Sequence, residues 1–166
     1  MDTWLAVASR REAREYADRE LPEEVVGRIL DAGRLAGSAQ NRQPWRFLIV
    51  EDPDVRARLA DTVYEPTNVH GAKLVVAILG KGGIDTGRAM QNMLLVAWNE
   101  GVGSSPNGLQ DMERAREVLG LGEDDQLAIV LTFGYPARPR DPSSRTPEEW
   151  SARANRKSLD ELVERR

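Results

Sequence analysis

The fold is decided by residues 22–50, whose sequence is PEEVVGRILDAGRLAGSAQNRQPWRFLIV. A proline and two acidic residues at its start are typical of a helix N-terminus, because acids there face the positive end of the helix dipole. Apolar residues at helical spacing follow, and Gly37 is expected to end the helix. A polar loop from Ser38 to Pro44 then precedes Arg46–Val50, a short apolar run. This stretch therefore predicts a helix, a polar loop and a buried strand in succession.

The rest of the chain predicts further strands separated by helices. Two apolar runs, Lys73–Leu79 and Leu127–Gly134, predict buried strands. The longest predicted helix, Asp85–Glu100, is apolar on most of its circumference and is expected to be central. The remaining predictions are helices at Trp4–Tyr16, 52–63 and Asp111–Leu119, a loop at 103–109, an extended proline-rich arm at 136–146, and a short helix or strand at 158–164. Together these elements indicate an α+β or α/β domain.

The composition excludes several classes of function. Cysteine is absent, which excludes disulfides, thiolate metal sites and a cysteine nucleophile. With His70 as the one histidine, expected in a loop, we predict no metal site. The net charge of −4 argues against a nucleic-acid binder. The sequence contains neither a run of about 18 apolar residues nor the apolar core of a signal peptide, so we expect no membrane span and a cytoplasmic protein.

A basic cluster near the N-terminus is the first candidate binding feature. Arg10 and Arg14 are four residues apart and would share one face of the predicted helix, with Arg11 beside them. Guanidinium groups suit a phosphate because their planar fork matches its oxygens. The alternative is a solvated helix face on which Arg11 pairs with Glu15.

Three later segments are further candidates. The loop Ser38–Trp45 carries amides and hydroxyls that donate and accept, which suits the edge of a flavin ring, or it satisfies its own backbone. The glycines of 101–108 let the backbone approach a ligand closely, or they serve a turn after the helix. The basic residues Arg153, Arg156 and Lys157 form a second phosphate clamp or a charged tail.

In their order along the chain, these motifs resemble the FMN-dependent nitroreductases, with NRQPWRF at 41–47 as the most specific piece. The resemblance implies an α+β fold, an α/β/α sandwich with a central mixed, mostly antiparallel sheet, in one FMN-binding domain over 1–166. It also implies a homodimer with FMN at the interface, in which residues 137–166 form a domain-swapped C-terminal arm that reaches the partner. The matching segments are RREAREY at 10–16, residues 22–50, DTGRAMQNMLLVAWNEGVGSSPNG at 85–108, LTFGYPA at 131–137 and RKSLDELV at 156–163.

The resemblance also assigns roles to individual residues. Arg14 would face the N1–C2=O edge of the flavin as the one catalytic side chain. The phosphate would be held by Arg10, Arg11, Arg156 and Lys157. The other subunit would contribute Gly37, Ser38, Ala39 and Asn41. Backbone groups around Pro106, Asn107 and Gly108 would approach flavin N5 and O4.

The activity that the resemblance implies is hydride transfer from NADH or NADPH, through flavin N5, to a nitroaromatic, quinone or similar planar acceptor in ping-pong fashion. Arg14 stays protonated and would stabilise the charge of the reduced flavin. Two alternatives remain open: a flavin-binding module of the same fold with little turnover, and a same-fold flavin enzyme with different chemistry, such as reductive dehalogenation or flavin destruction.

The sequence departs from the family pattern in three places. Glu12 stands where a serine is common, and Ala39 stands where a second hydroxyl is common. The connection from Leu79 to Asp85 is short and leaves no room for the helical excursion that covers the substrate pocket in many relatives. We therefore expect an open or differently covered pocket, and the sequence names neither the acceptor nor the preferred nicotinamide.

Overall fold

The structure, a computed structural model, describes all 166 residues. The chain divides into two compact units: a larger unit, Arg11–Pro139, and a smaller unit that combines Met1–Arg10 with Arg140–Arg166. Most of the predicted arm, 137–166, belongs to the smaller unit, and its crossing to a partner stays a prediction. None of the helices has the combination of length and apolar character that crossing a lipid bilayer requires.

The larger unit is built around a four-stranded antiparallel sheet with the strand order β1-β2-β4-β3. All three strand pairings are antiparallel, which confirms the predicted mostly antiparallel sheet, and the one parallel pairing is an isolated bridge between Glu12 and Ser104 outside the four strands. The three predicted strands are confirmed. The strands are β1 (Arg46–Ile49), β2 (Leu74–Leu79), β3 (Gly103–Asn107) and β4 (Leu127–Gly134).

The prediction of a loop at residues 103–109 is wrong, because most of this segment forms β3. Glycine, serine, proline and asparagine have low strand propensity, which is why the sequence favours a loop. Pairing with β4, from Gly103 opposite Gly134 to Asn107 opposite Val130, overrides that propensity by satisfying the backbone. Pro106 is compatible with the strand because β3 is an edge strand of the sheet.

Helices cover both faces of the sheet, which confirms the α/β/α sandwich. Since successive residues of a strand point to opposite faces, β2 contributes Val76 and Ile78 to one core, and Val75 and Ala77 to the other. The first core is completed by α2 (Glu23–Arg34) and α5 (Ile84–Asn99), and the second by α3 (Pro53–Ala60), α4 (Pro66–Gly71) and α6 (Met112–Val118).

Helix α5 is the longest helix and is central, as its apolar circumference predicts. It packs against α2, where a side chain on Gly33 would collide with Met93 and with the ring of Phe47. Gly80–Gly83 alone connects β2 to α5, so the chain places no helix between them. His70 lies in the last turn of α4, and its predicted place in a loop is wrong.

The helix predicted over Trp4–Tyr16 is wrong beyond its first half. Helix α1 spans Thr3–Ser9, and the chain then runs along the sheet. The backbone N–H groups of Ala13 and Ala17 donate to Ser104 and Tyr135, at 3.1 and 2.7 Å. Because these partners lie on β3 and just after β4, the segment finds its hydrogen bonds at the sheet edge instead of within a helix. Arg10 and Arg14 therefore do not share a helix face.

The smaller unit contains α1, α7 (Pro147–Arg153) and α8 (Leu159–Leu162), with α1 packed on α7. Trp150 is its buried anchor, and its indole N–H donates to the carbonyl of Pro142 at 2.8 Å. The proline-rich arm includes a 3-10 turn at Pro142–Ser144. Helix α7 escaped prediction although its capping box, formed by Thr146 and Glu149, is visible in the sequence. Helix α8 lies within the short element predicted at 158–164.

Candidate functional site

The polar loop before β1 has an unusual backbone. A 3-10 turn spans Ala39–Asn41, and the non-glycine residues Gln40, Asn41 and Gln43 have φ values of 54°, 54° and 48°. Left-handed conformations at non-glycine residues carry strain and are frequent at functional sites. The Ser38 hydroxyl accepts a hydrogen bond from the Gln43 N–H at 2.8 Å. Ser38 therefore satisfies the backbone of its own loop, which is the alternative to flavin binding given in the sequence analysis. This hydrogen bond does not use the hydroxyl proton of Ser38.

The loop rests on the first turn of α5. The Asp85 carboxylate accepts a hydrogen bond from the Ala39 N–H at 3.1 Å and lies 3.8 Å from Arg88. The Arg88 guanidinium occupies the space that a side chain on Gly37 would need. Asp85 and Arg88 thus hold Gly37 and Ala39 in place, and sequence reasoning missed both. Their only signal was their position in the first turn of α5, which the 85–108 segment includes.

The basic segment at the N-terminus is divided between the two units. Arg10 is the C-cap residue of α1 in the smaller unit, whereas Arg11 and Arg14 belong to the larger unit. Arg11 is half-buried and Arg14 is exposed. Glu15 forms an exposed ion pair with Arg138 at 3.6 Å. The structure thus places two cations, three residues apart, on a segment that lies along β3.

The predicted contact residues after residue 105 lie at the end of β3. Asn107 is buried, and its amide nitrogen donates to Thr132 Oγ1 at 3.1 Å and to the Ser105 carbonyl at 3.0 Å. Its amide oxygen accepts from Asn68 Nδ2 at 2.8 Å. The Asn107 side chain is therefore committed to the interior, and Gly108 is the exposed residue of the group.

The predicted contact residues are attached to opposite edges of the sheet. The loop Gly37–Asn41 leads into β1, whereas the segment with Arg11 and Arg14 lies along β3. These outer strands are three strand spacings apart, or about 14 Å. Arg156 and Lys157 are exposed and lie between α7 and α8 in the smaller unit.

A cavity of about 330 Å³ opens beside the end of the polar loop. Its wall includes Gln43, Trp45, Lys81 and Asp124. None of the predicted flavin contacts lines it, so it is separate from the candidate site.

Tyr16 ties the arginine-bearing segment to the sheet. Its hydroxyl donates to the Ala13 carbonyl at 2.9 Å and lies 3.0 Å from Thr132 Oγ1. Burial raises the pKa of Tyr16 from 10.0 to about 12, the Thr132 hydrogen bond opposes that rise, and the charge of Glu12 adds to it. Tyr16 therefore stays protonated and acts as a hydrogen-bond donor. Sequence reasoning gave it no role, because nothing in the sequence shows that it contacts Thr132.

Comparison with known proteins identifies relatives over most of the chain. A sequence model of the nitroreductase family matches residues 7–83 and 81–135. The chain is 26% identical to an NADH dehydrogenase of Thermus thermophilus, over 90% of this chain and 94% of that protein. It is 38% identical over 142 residues to an iodotyrosine deiodinase of Haliscomenobacter hydrossis, which covers 81% of this chain and 64% of that protein.

The similar solved structures include a complex with a cofactor. A protein from Desulfovibrio desulfuricans, solved in complex with FMN, superposes with a TM-score of 0.80 at 27% identity. The match covers 100% of this chain and 98% of that chain. The resemblance predicted from the sequence is thus confirmed at the level of family and fold, whereas the individual site residues stay predictions.

The raised pKa of Tyr16 makes stability depend on pH in a defined window. Because the folded-state pKa lies above the unfolded value, the stabilisation is complete below about pH 10 and is lost as the pH rises towards 12. Tyr16→Phe has no phenol proton to lose, so its free energy of unfolding should fall less over this window than that of the wild type. Urea unfolding at stepped pH measures the difference.

The matched control for this measurement is Tyr64→Phe, which removes an exposed phenol and should keep the wild-type slope. Identical slopes for the wild type and Tyr16→Phe would contradict the assignment of the high pKa to Tyr16.

Proposed function

The chain belongs to the nitroreductase family and is an oxidoreductase, and from this premise we propose that it binds FMN between two copies of itself. It then passes hydride from NADH or NADPH to a nitroaromatic, a quinone or a similar planar acceptor. The observation that carries the proposal is the docking of Arg11 and Arg14 along β3, which gives one edge of the sheet two cations. The FMN complex of the Desulfovibrio relative supports the choice of cofactor.

The residues present fit FMN by the chemistry of their donors. Arg11 of the larger unit offers a permanent cation of the kind that binds a phosphate dianion, and the smaller unit carries further cations of this kind at Arg10, Arg156 and Lys157. The loop Gly37–Asn41 supplies amide and hydroxyl groups that suit the alternating donors and acceptors of a flavin edge. When bound, FMN supplies the two-electron hydride chemistry that no side chain of this protein can perform.

The chain's own residues contribute binding and electrostatics. Arg14 would supply a cation that cannot be deprotonated to the N1–C2=O edge, where it would stabilise negative charge on the reduced flavin. Backbone groups at Pro106–Gly108 would orient the ring at N5 and O4. The loop Gly37–Asn41 closes the ring edge, and its strained backbone is held by Asp85 and by the Ser38–Gln43 hydrogen bond.

The places where these groups are attached support a homodimer. In one chain the loop leads into β1, while Arg11 and Arg14 lie along β3 at the opposite edge. We therefore assign the loop at each site to the second copy, and the C-terminal arm, 137–166, to a crossing between subunits. Each flavin then has residues of both chains around it, and dimerisation is required for function.

Reductive dehalogenation of an aromatic substrate is the second candidate function. It is favoured by the 38% identity to the Haliscomenobacter deiodinase. In this reaction the carbon–halogen bond breaks, the halogen leaves as halide, and the ring carbon gains hydrogen at the expense of two electrons from NAD(P)H. The match covers only 64% of the length of that relative. In this chain only Gly80–Gly83 lies between β2 and α5.

The proposed function predicts both cofactor binding and turnover. The purified protein, incubated with FMN and desalted, should be yellow, and NADH or NADPH should bleach it anaerobically. Menadione or nitrofurazone should then sustain NAD(P)H consumption, whereas 3-iodotyrosine should release iodide only if the second candidate is correct. A protein that stays colourless contradicts the proposal. Bound FMN without turnover on any of these acceptors would establish a flavin-binding module instead.

A further prediction concerns the positive charge of Arg14. Arg14→Ala should make the reduction potential of bound flavin more negative by roughly 30 mV or more, which for two electrons is about 1.4 kcal/mol. Arg14→Lys keeps the charge and should recover much of the loss. Arg58→Ala, which removes an exposed cation from α3, is the matched control and should leave the potential unchanged. An unchanged potential in Arg14→Ala would remove Arg14 from this role.

A further inference from the structure

Two glycines face each other where the first residue of β3 pairs with the last residue of β4. Gly103 is paired with Gly134, and each supports one residue of the segment that carries Arg14. A Cβ on Gly103 would come within 2.5 Å of the Ala13 Cβ, and a Cβ on Gly134 would come within 2.8 Å of Tyr16 Cδ1. Both distances are too short for real carbon contacts, so the segment lies in space that only glycine leaves.

The need for glycine here is spatial. The glycines with positive φ are Gly80, Gly83, Gly101 and Gly120, and neither member of the Gly103–Gly134 pair is among them. Any residue would be allowed by the backbone at 103 and 134. What a side chain would displace is the Ala13–Tyr16 segment and, at position 103, also Pro136, whose Cγ would lie 3.0 Å from the added Cβ.

The contacts fix both ends of a short loop. Ala13 and Tyr16 flank Arg14 and Glu15, and the Tyr16 hydroxyl donates back to the Ala13 carbonyl at 2.9 Å. The Ala13 N–H donates to the Ser104 carbonyl, and the Glu15 carbonyl accepts from the Ala137 N–H at 3.0 Å. The backbone of Arg14 is therefore held from both sides, although its side chain is exposed.

A buried hydrogen-bonded network joins this loop to the end of β3. Tyr16 meets Thr132 Oγ1 at 3.0 Å, and Thr132 Oγ1 accepts from Asn107 Nδ2 at 3.1 Å. Thr132 and Asn107 are buried, at 0% and 3% exposure, so these bonds are shielded from water. In a shielded environment hydrogen bonds are stronger and more costly to break. Buried hydrogen bonds thus connect the Arg14 loop to the Pro106–Gly108 end of β3.

We propose that Tyr16 and the Gly103–Gly134 pair are positioning residues for Arg14. By fixing the loop on the sheet edge, they set the distance between its guanidinium and the flavin edge, and electrostatic stabilisation falls as that distance grows. The inference rests on the proposed function, since it requires Arg14 to face bound FMN. The inference adds to the proposed function a set of groups that affect FMN through Arg14 and do not contact FMN themselves.

The test uses the whole protein and moves one methyl group across the contact, from residue 13 to residue 103. Gly103→Ala should weaken FMN binding to the apoprotein roughly tenfold, as measured by flavin fluorescence titration, and should make the reduction potential more negative. Ala13→Gly in the same chain removes the methyl that collides and should restore a large part of both properties. Gly27→Ala on α2, where an added Cβ meets nothing within 4 Å, is the matched control and should match the wild type.

Tyr16→Phe provides a milder variant, because it keeps the ring over Gly134 and removes only the hydroxyl. It should retain wild-type circular dichroism and still shift the potential in the same direction as Gly103→Ala. Wild-type affinity and potential in both Gly103→Ala and Tyr16→Phe would overturn the positioning role. Defects in Gly103→Ala that Ala13→Gly does not relieve at all would also overturn it, because they would reflect displacement of Pro136, whose Cγ would lie 3.0 Å from the added Cβ, or damage to the sheet. If the wild type itself fails to bind FMN, it is the proposed function that fails.

Discussion

Strand β2 consists of six apolar residues in succession, and all six are buried because helices cover both faces of the sheet. The rest of the larger unit depends on this double burial. It requires a layer of helices on each side, it puts β1 and β4 at the flanks of β2, and it leaves β3 as an edge. Backbone groups that can pair with another segment of the chain remain only at the two edges of the sheet. The candidate site residues are attached at these edges.

The β3 edge shows how such a position acquires function. Its residues are small or polar, so they leave room for the Arg11–Tyr16 segment to pair with the sheet and bring cations with it. At the other edge, the loop before β1 is held in a strained backbone by its own hydroxyl and by Asp85. In the proposed dimer, the β3 edge of one copy would supply the cations of a flavin site, and the loop before β1 of the other copy would supply the contacts to the ring.

Sequence patterns predicted the elements whose signal is local. Strands β1, β2 and β4 are apolar runs, and α2 and α5 have helical periodicity, so burial alone specifies them. The pattern failed where tertiary pairing replaced propensity. Residues 10–16 have helix-forming composition but take their hydrogen bonds from β3 and from the end of β4, and Gly103–Asn107 lacks strand formers but pairs with β4 over its full length.

For the candidate site, the sequence by itself determined the residue types: the arginines at 10, 11 and 14, the amide-rich loop before β1, and the glycines around β3 and β4. Their order along the chain resembles that of the nitroreductases, and the match of the family model over residues 7–83 and 81–135 establishes the family. Only the tertiary structure decided what they do to one another. It put Arg14 in a loop pinned over Gly103 and Gly134, turned the Asn107 side chain inward, and gave Tyr16 a buried partner in Thr132. Tyr16 and Thr132 are 116 residues apart along the chain, and a contact at such a separation depends on which distant segments pack together, which the local periodicity of the sequence does not specify.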